Sequence, residues 1–278
     1  MAGRADDVEE GDAPRRCWCC LESTTTKAQP LLHCGCACRG SAGWAHVDCL
    51  AQAAGAHSFA EKGAEMWTTC PTCTHEWTGR VQLDLARAYS RRCTQRPKDD
   101  AERQFTQCVL GVALRAQGMY VEALAIEERA LTTCRELYGP EDERTITAME
   151  SLAKVHYRMG EYEDAVLLQQ AILAFFRRTD GDQHQNTLFA MDSLAQTYAD
   201  MDQIGPSLAL LEECLETQRN AQPRDDECLA AAIQSLACVY CDAGEMEKAV
   251  PLFKESLKIS RRVFGNAHPN TATTVGNL

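Results

Sequence analysis

Leu110, Leu152, Leu194, Leu236 and Leu278 stand 42 residues apart without a slip. A period held that strictly means one structural unit is copied along the chain, and other columns keep the same register. Small residues follow the leucines at Gly111, Ala153, Ala195 and Ala237. Gly118, Gly160 and Gly244 come next, with Asp202 the exception, and Tyr120, Tyr162, Ile204 and Met246 follow them. Ala123, Ala165, Ser207 and Ala249 fill a second small slot, ahead of Leu131, Leu173, Leu215 and Leu257. Each unit therefore reads as helix, glycine turn, helix and longer loop. One helix pair cannot bury its apolar face alone, so the units must stack into a solenoid. Asp202, with Gly205 and Pro206 behind it, predicts a shifted turn in the third unit. Pro251, deeper in its helix, predicts a slight bend.

The segment SLAKVHYRMGEYEDAVLLQQAIL resembles one tetratricopeptide repeat of the kinesin-light-chain kind. FGNAHPNTATTVGNL resembles that family's inter-repeat loop and the start of the next helix. The resemblance covers residues 104–278 and implies an all-α solenoid of four units and the start of a fifth. Leu278 falls early in that fifth first helix, without the polar cap a terminal repeat carries, so further chain or a capping partner is expected. The resemblance also implies a groove lined by the first helices, holding a protein or peptide substrate. Its positions are Arg115, then Glu150, Lys154, Tyr157 and Arg158, then Asp192, Gln196 and Asp200, then Gln234 and Asp242. That groove runs from mixed charge to acidic and would favour a basic segment, although charged first-helix faces are commonly just solvated.

The cysteines have a different distribution. Of 16, nine fall between Cys17 and Cys73, in a stretch with no sustained helical period. The start MAGRADDVEEGD has no apolar h-region, and no run of eighteen apolar residues occurs. In a chain without an export signal, a dense cysteine cluster reads as metal binding before disulfides. The other seven thiols, scattered over residues 93–241, read as small buried apolar groups. The cluster runs Cys17-x2-Cys20, Cys36-x-Cys38, His46-x2-Cys49 and Cys70-x2-Cys73. Eight such ligands make two tetrahedral zinc sites of four.

That order, with Cys36-Ala37-Cys38-Arg39-Gly40-Ser41 and His46-Val47-Asp48-Cys49-Leu50, resembles the RING-CH finger. The resemblance implies a cross-brace: Cys17, Cys20, His46 and Cys49 on one Zn2+, Cys36, Cys38, Cys70 and Cys73 on the other. Cys19 and Cys34 are left as spares, and His33, His57 and His75 as bystanders. The PHD finger uses the same ligand letters but a shorter gap before its histidine, and a tryptophan where Thr68 stands. A RING-type finger implies docking of a ubiquitin-conjugating enzyme, here through Trp18, Cys19, Trp67 and Pro71. The four tryptophans, Trp18, Trp44, Trp67 and Trp77, can equally be the finger's miniature core.

The net charge of −12 argues against a nucleic-acid or anionic-membrane surface. No credible nucleophile–base or phosphate-loop constellation appears, and closed four-ligand sites leave no open position for metal-activated water. The resulting organisation is a disordered tail at 1–16, a zinc-organised RING-like finger at 17–78, a connecting helix and linker at 79–103, and the repeats. Two functions compete: a cytoplasmic or nuclear RING-type E3 ubiquitin ligase whose repeats select the substrate, and a non-catalytic zinc-finger adaptor that binds protein peptides.

Overall fold

The computed structural model describes residues 15–23, 31–34, 37–38, 43–57, 59, 64–220 and 226–278. The tail expected at 1–16 lies almost wholly outside them, as do Cys36 and Arg39-Gly40-Ser41. The chain divides into two compact units, Met1–Ala130 and Leu131–Leu278.

In the first unit, β1 (Leu31–His33) and β2 (Trp44–His46) pair antiparallel, with Leu32 opposite Ala45. α1 (Val47–Gly55) leaves directly from β2 and turns Leu50 and Ala54 inward. α2 (Ala64–Thr68) buries Trp67, and α3 (Gly79–Cys93) buries Val81, Leu85, Tyr89 and Cys93, an i, i+4 stripe along one face. That stripe joins Cys17, Cys34, Ala45, Leu50, Trp67, Cys70 and Trp77 in a single apolar cluster. Trp67 lies flat on Tyr89, centroids 4.4 Å apart with an interplanar angle of 2°. Residues 79–93 therefore share the interior of the cysteine-rich segment, where the sequence predicts a connector. Residues 17–78 carry too few large apolar side chains to close a core alone, and the amphipathic α3 supplies the missing wall.

α4 (Ala101–Ala116) starts at Asp100, whose carboxylate accepts the Arg103 backbone N–H at 2.9 Å, an N-cap just ahead of the expected start at 104. α5 (Tyr120–Tyr138) completes the first helix pair. In the second unit, α6 (Glu143–Met159) and α7 (Tyr162–Thr179), α8 (Gln185–Asp200) and α9 (Ile204–Asn220), and α10 (Asp226–Asp242) and α11 (Met246–Val263) form further pairs, followed by α12 (Pro269–Gly276). Within the second unit each helix packs on the next, and α8 also touches α10. That is how stacked pairs share a core.

The intra-pair turns are copies of one another. Gly118, Gly160 and Gly244 have φ of 71°, 79° and 75°, and Asp202 has 59°. Each donates its N–H three residues back, to Arg115, Tyr157, Ala199 and Cys241, while the next residue reaches five back, to Leu114, His156, Tyr198 and Tyr240. The shifted turn expected at Asp202 does not occur. Aspartate is one of the few residues that tolerate the left-handed region, so the unit keeps its register. Pro206 lies in the first turn of α9, and α11 continues through Pro251. The inter-pair loops repeat as well: Thr145, Thr187 and Thr271 donate their hydroxyls to the carbonyls of Gly139, Gly181 and Gly265 at 2.6–2.8 Å.

Candidate metal centre and peptide groove

Two C-x2-C segments close in the same way. The Cys17 N–H reaches the Glu22 carbonyl at 2.8 Å and the Leu21 N–H returns to the Cys17 carbonyl at 2.7 Å. The Cys70 N–H reaches the His75 carbonyl and the Thr74 N–H returns to Cys70, both at 2.8 Å. Leu21 and Thr74, at equivalent positions, are both left-handed, with φ of 64° and 58°. Such a knuckle turns both of its thiols toward one point.

Between the knuckles, β2 delivers His46 and the first turn of α1 delivers Cys49. The donor atoms of Cys17, Cys20, His46 and Cys49 lie within 4.8 Å of one another, as do those of Cys38, Cys70 and Cys73. Cys36, the expected fourth donor of the second set, is outside the described residues. A zinc–sulfur bond of about 2.3 Å places neighbouring sulfurs of a tetrahedron about 3.8 Å apart, and a sulfur about 3.6 Å from an imidazole nitrogen. The Cys38 and Cys70 sulfurs are 3.7 Å apart, and His46 Nδ1 lies 3.4 Å from Cys20 Sγ and 3.8 Å from Cys49 Sγ. A disulfide would need about 2.05 Å. Donor types and spacing therefore fit a zinc ion at each set.

Backbone N–H groups aim at the sulfurs. Burial works against the Cys17 thiolate, but the N–H groups of Cys20, His46 and Cys19 outweigh it and bring the thiol down to about 7. The His75 N–H brings Cys73 to about 6. Burial, then the neighbouring thiols of Cys20 and Cys17, drives Cys49 up to about 12. Crowded thiolates resist one another, and a divalent cation among them reverses the sign. Neither spare joins a donor set among the described residues: Cys34 is wholly buried in the apolar cluster, and burial together with Cys17 pushes Cys19 up to about 12. His33 and His75 stay exposed, His33 with its ring edge-on to Trp44 and His75 bonded to the Cys73 carbonyl at 2.9 Å. His57 is also exposed.

Of the four expected docking residues, Pro71 is exposed, and Trp18 and Cys19 are half-buried. Trp67 is only 5% exposed, and its face is covered by Tyr89. It is a core residue and has no face to offer a partner, which corrects that expectation.

In the second unit the first helices line two cavities. Glu150 and Lys154 line one of about 430 Å³. Asp192, Gln196 and Gln234 line one of about 590 Å³. The Tyr157 hydroxyl donates to Asp200 at 2.5 Å, tying α6 to α8. Burial, with Asp200 beside it, pushes the phenol up to about 12. Arg158 and Asp242 are exposed and line neither cavity. Arg115, expected in the groove of the first repeat, has its guanidinium bonded to the buried Glu127. Phe189, which the sequence reading passed over, is 59% exposed and borders both cavities. Its column reads Thr147, Phe189, Ala231 and Thr273, so one aromatic among small residues was the available signal.

Two models of the tetratricopeptide repeat match the chain, one over residues 102–177 and the other over 187–221 and 229–270. Neither extends into the cysteine-rich segment. No curated protein matches the chain. Among solved structures, BtubC (BKLC) from P. vanneervenii is similar at 22% identity and a TM-score of 0.57, over 66% of this chain and 74% of that one. A crystal structure of nearly identical TPR-like repeats from Podosopora anserina, described in terms of a kinesin light chain, is similar at 21% identity and a TM-score of 0.58, over 66% of this chain and 87% of that one. The apo form of RapI is similar at 15% identity and a TM-score of 0.58, over 72% of this chain and 56% of that one. At these identities the likeness shows an all-α, solenoid-like repeat fold. No described helix is long and apolar enough to cross a membrane.

Proposed function

From a chain whose residues 102–270 carry tetratricopeptide repeats, modules of protein–protein interaction, we infer a two-part protein-recruiting molecule. Its repeats hold a substrate protein, and its finger, organised by two zinc ions, docks a ubiquitin-conjugating enzyme in the manner of a RING-type E3 ligase. The observation that carries this is the interleaving of the donors. Cys17 and Cys20 meet His46 and Cys49 across the segment that holds Cys38, while Cys38 meets Cys70 and Cys73 across the segment that holds His46 and Cys49.

Bound zinc supplies folding energy, because residues far apart in sequence become tied at two points. The chain's own residues do the rest. The knuckles set Trp18 and Pro71 at equivalent positions, each directly after the first cysteine of its C-x2-C, with Cys19 beside Trp18. No side chain of the finger serves as nucleophile or base, since a ligase of this type acts by holding two reactants in place. Reduced thiols in both sets call for a reducing compartment, the cytoplasm or nucleus.

The burial of Trp67 favours a second reading, a non-catalytic adaptor, because it removes one of the four docking contacts. Discharge of ubiquitin from a panel of preloaded conjugating enzymes onto free lysine, with the full zinc-loaded chain added, separates the two. A ligase accelerates discharge, and the Cys70→Ser chain does not. No acceleration from a chain holding two zinc equivalents by metal analysis makes the protein an adaptor.

A further inference from the structure

The cavity of about 590 Å³ lies wholly within the second unit, between α8, α10 and α12, with α9 behind it. No Lys, Arg or His borders it, whereas Asp192 and Glu227 both do. Asp192 stands in the middle of α8, with the Ser235 hydroxyl of α10 as its hydrogen-bond partner and no ion pair among the described residues. Burial raises its carboxyl above the usual range. Gln218 of α9, 7% exposed, also borders the cavity, and its Oε1 has no hydrogen-bond partner among the described residues. A buried acceptor without a donor is costly, and a carboxylate desolvated without a cation is costlier. Phe189 stands at the mouth, 59% exposed.

These features share one chemistry. The walls offer acceptors and negative charge, the rim offers an aromatic ring, and donors with positive charge are what the site lacks. A lysine or arginine side chain would supply them, with its stem along Phe189 and its head at the carboxylate of Asp192. Gln234 stands one repeat on from Asp192 in the same column and borders the same cavity; its Oε1 accepts the Thr274 hydroxyl at 2.8 Å, which leaves its amide N–H groups for the partner's backbone. The neighbouring cavity, with Lys154 beside Glu150, has no such bias.

We propose that this cavity is the specificity pocket of the repeats, receiving a lysine or arginine side chain from an extended segment of the partner protein. The proposal rests on the reading of the repeats as a substrate-binding array. The test uses the full chain and fluorescein-labelled nonapeptides with alanine and glycine flanks, differing only at the centre: lysine, arginine, norleucine or glutamate. Fluorescence polarisation is expected to show lysine and arginine peptides binding at least tenfold more tightly than norleucine, with glutamate weakest. Asp192→Asn should erase that preference while leaving far-UV helicity intact. Glu247→Gln, which removes an equal charge from the exposed first turn of α11 outside the cavity, should leave the preference in place and so excludes a general effect of the net −12. Peptides that bind without regard to the central residue, or a preference that survives Asp192→Asn, overturn the pocket and leave the protein-binding array standing. No binding of any peptide overturns both.

Discussion

Single residues carry two departures from the repeat, and each has a physical cause. Asp202 replaces glycine at a left-handed turn, with φ of 59° where its equivalents are glycines at 71°, 79° and 75°. A side chain in that region costs about 1–2 kcal/mol, less for aspartate than for most residues. Asp202→Gly should therefore stabilise the second unit by about 1 kcal/mol, read as a rise in the urea midpoint at unchanged m-value. Gly111 departs in the other direction, since its equivalents Ala153, Ala195 and Ala237 carry a β-carbon. A β-carbon at Gly111 would collide with the Glu127 carboxylate, which is held by Arg115 and 2% exposed. Gly111→Ala should cost about 1–3 kcal/mol by overpacking. In a Glu127→Ala background the same change should cost clearly less, and equal costs in both backgrounds would remove the explanation. The glycine column was visible in the sequence. The reason for it was not, because Glu127 becomes a neighbour of Gly111 only when α5 folds back on α4.

At the scale of elements, helix starts and stops follow local chemistry and were largely readable. Asp142 caps α6, accepting the Arg144 N–H at 3.0 Å and the Arg144 guanidinium at 2.8 Å. Those bonds, the guanidinium ones first, lower its carboxyl to about 2. A folded-state value below the unfolded one means that the stabilisation is complete above about pH 4 and is lost as the pH falls through 2. Asp142→Asn keeps the cap but cannot titrate, so wild type should lose helical signal between pH 4 and pH 2 more steeply than the variant, followed by circular dichroism. Ion pairs also link successive second helices, Arg177 to Glu213 and Arg219 to Glu255, at the same repeat positions. They are exposed and contribute little individually. The role of α3 could not be read in this way. Its stripe of Val81, Leu85, Tyr89 and Cys93 announces an amphipathic helix but does not say which surface it covers.

For the molecule as a whole, that ambiguity changes the response to chelation that follows if the two donor sets hold zinc as proposed. With α3 outside the finger, zinc removal would unfold residues 17–78 alone. With α3 forming the wall on which Trp67 lies, chelation should also expose α3. Hydrogen exchange on the zinc-loaded chain before and after EDTA should show protection lost in residues 64–93 and retained in residues 143–263. Retained protection in 79–93 would restore the self-contained finger. By itself the sequence determined the 42-residue period, the paired helices and the spacing of the cysteine and histidine pairs, because each of these is a matter of position along the chain. Tertiary structure decided that Trp67 belongs to the core, that Arg115 bonds to Glu127, and that Asp192, Gln218 and Phe189 border one cavity. Those outcomes depend on which surfaces meet when helices pack, and a period along one chain does not contain the identity of the facing side chain.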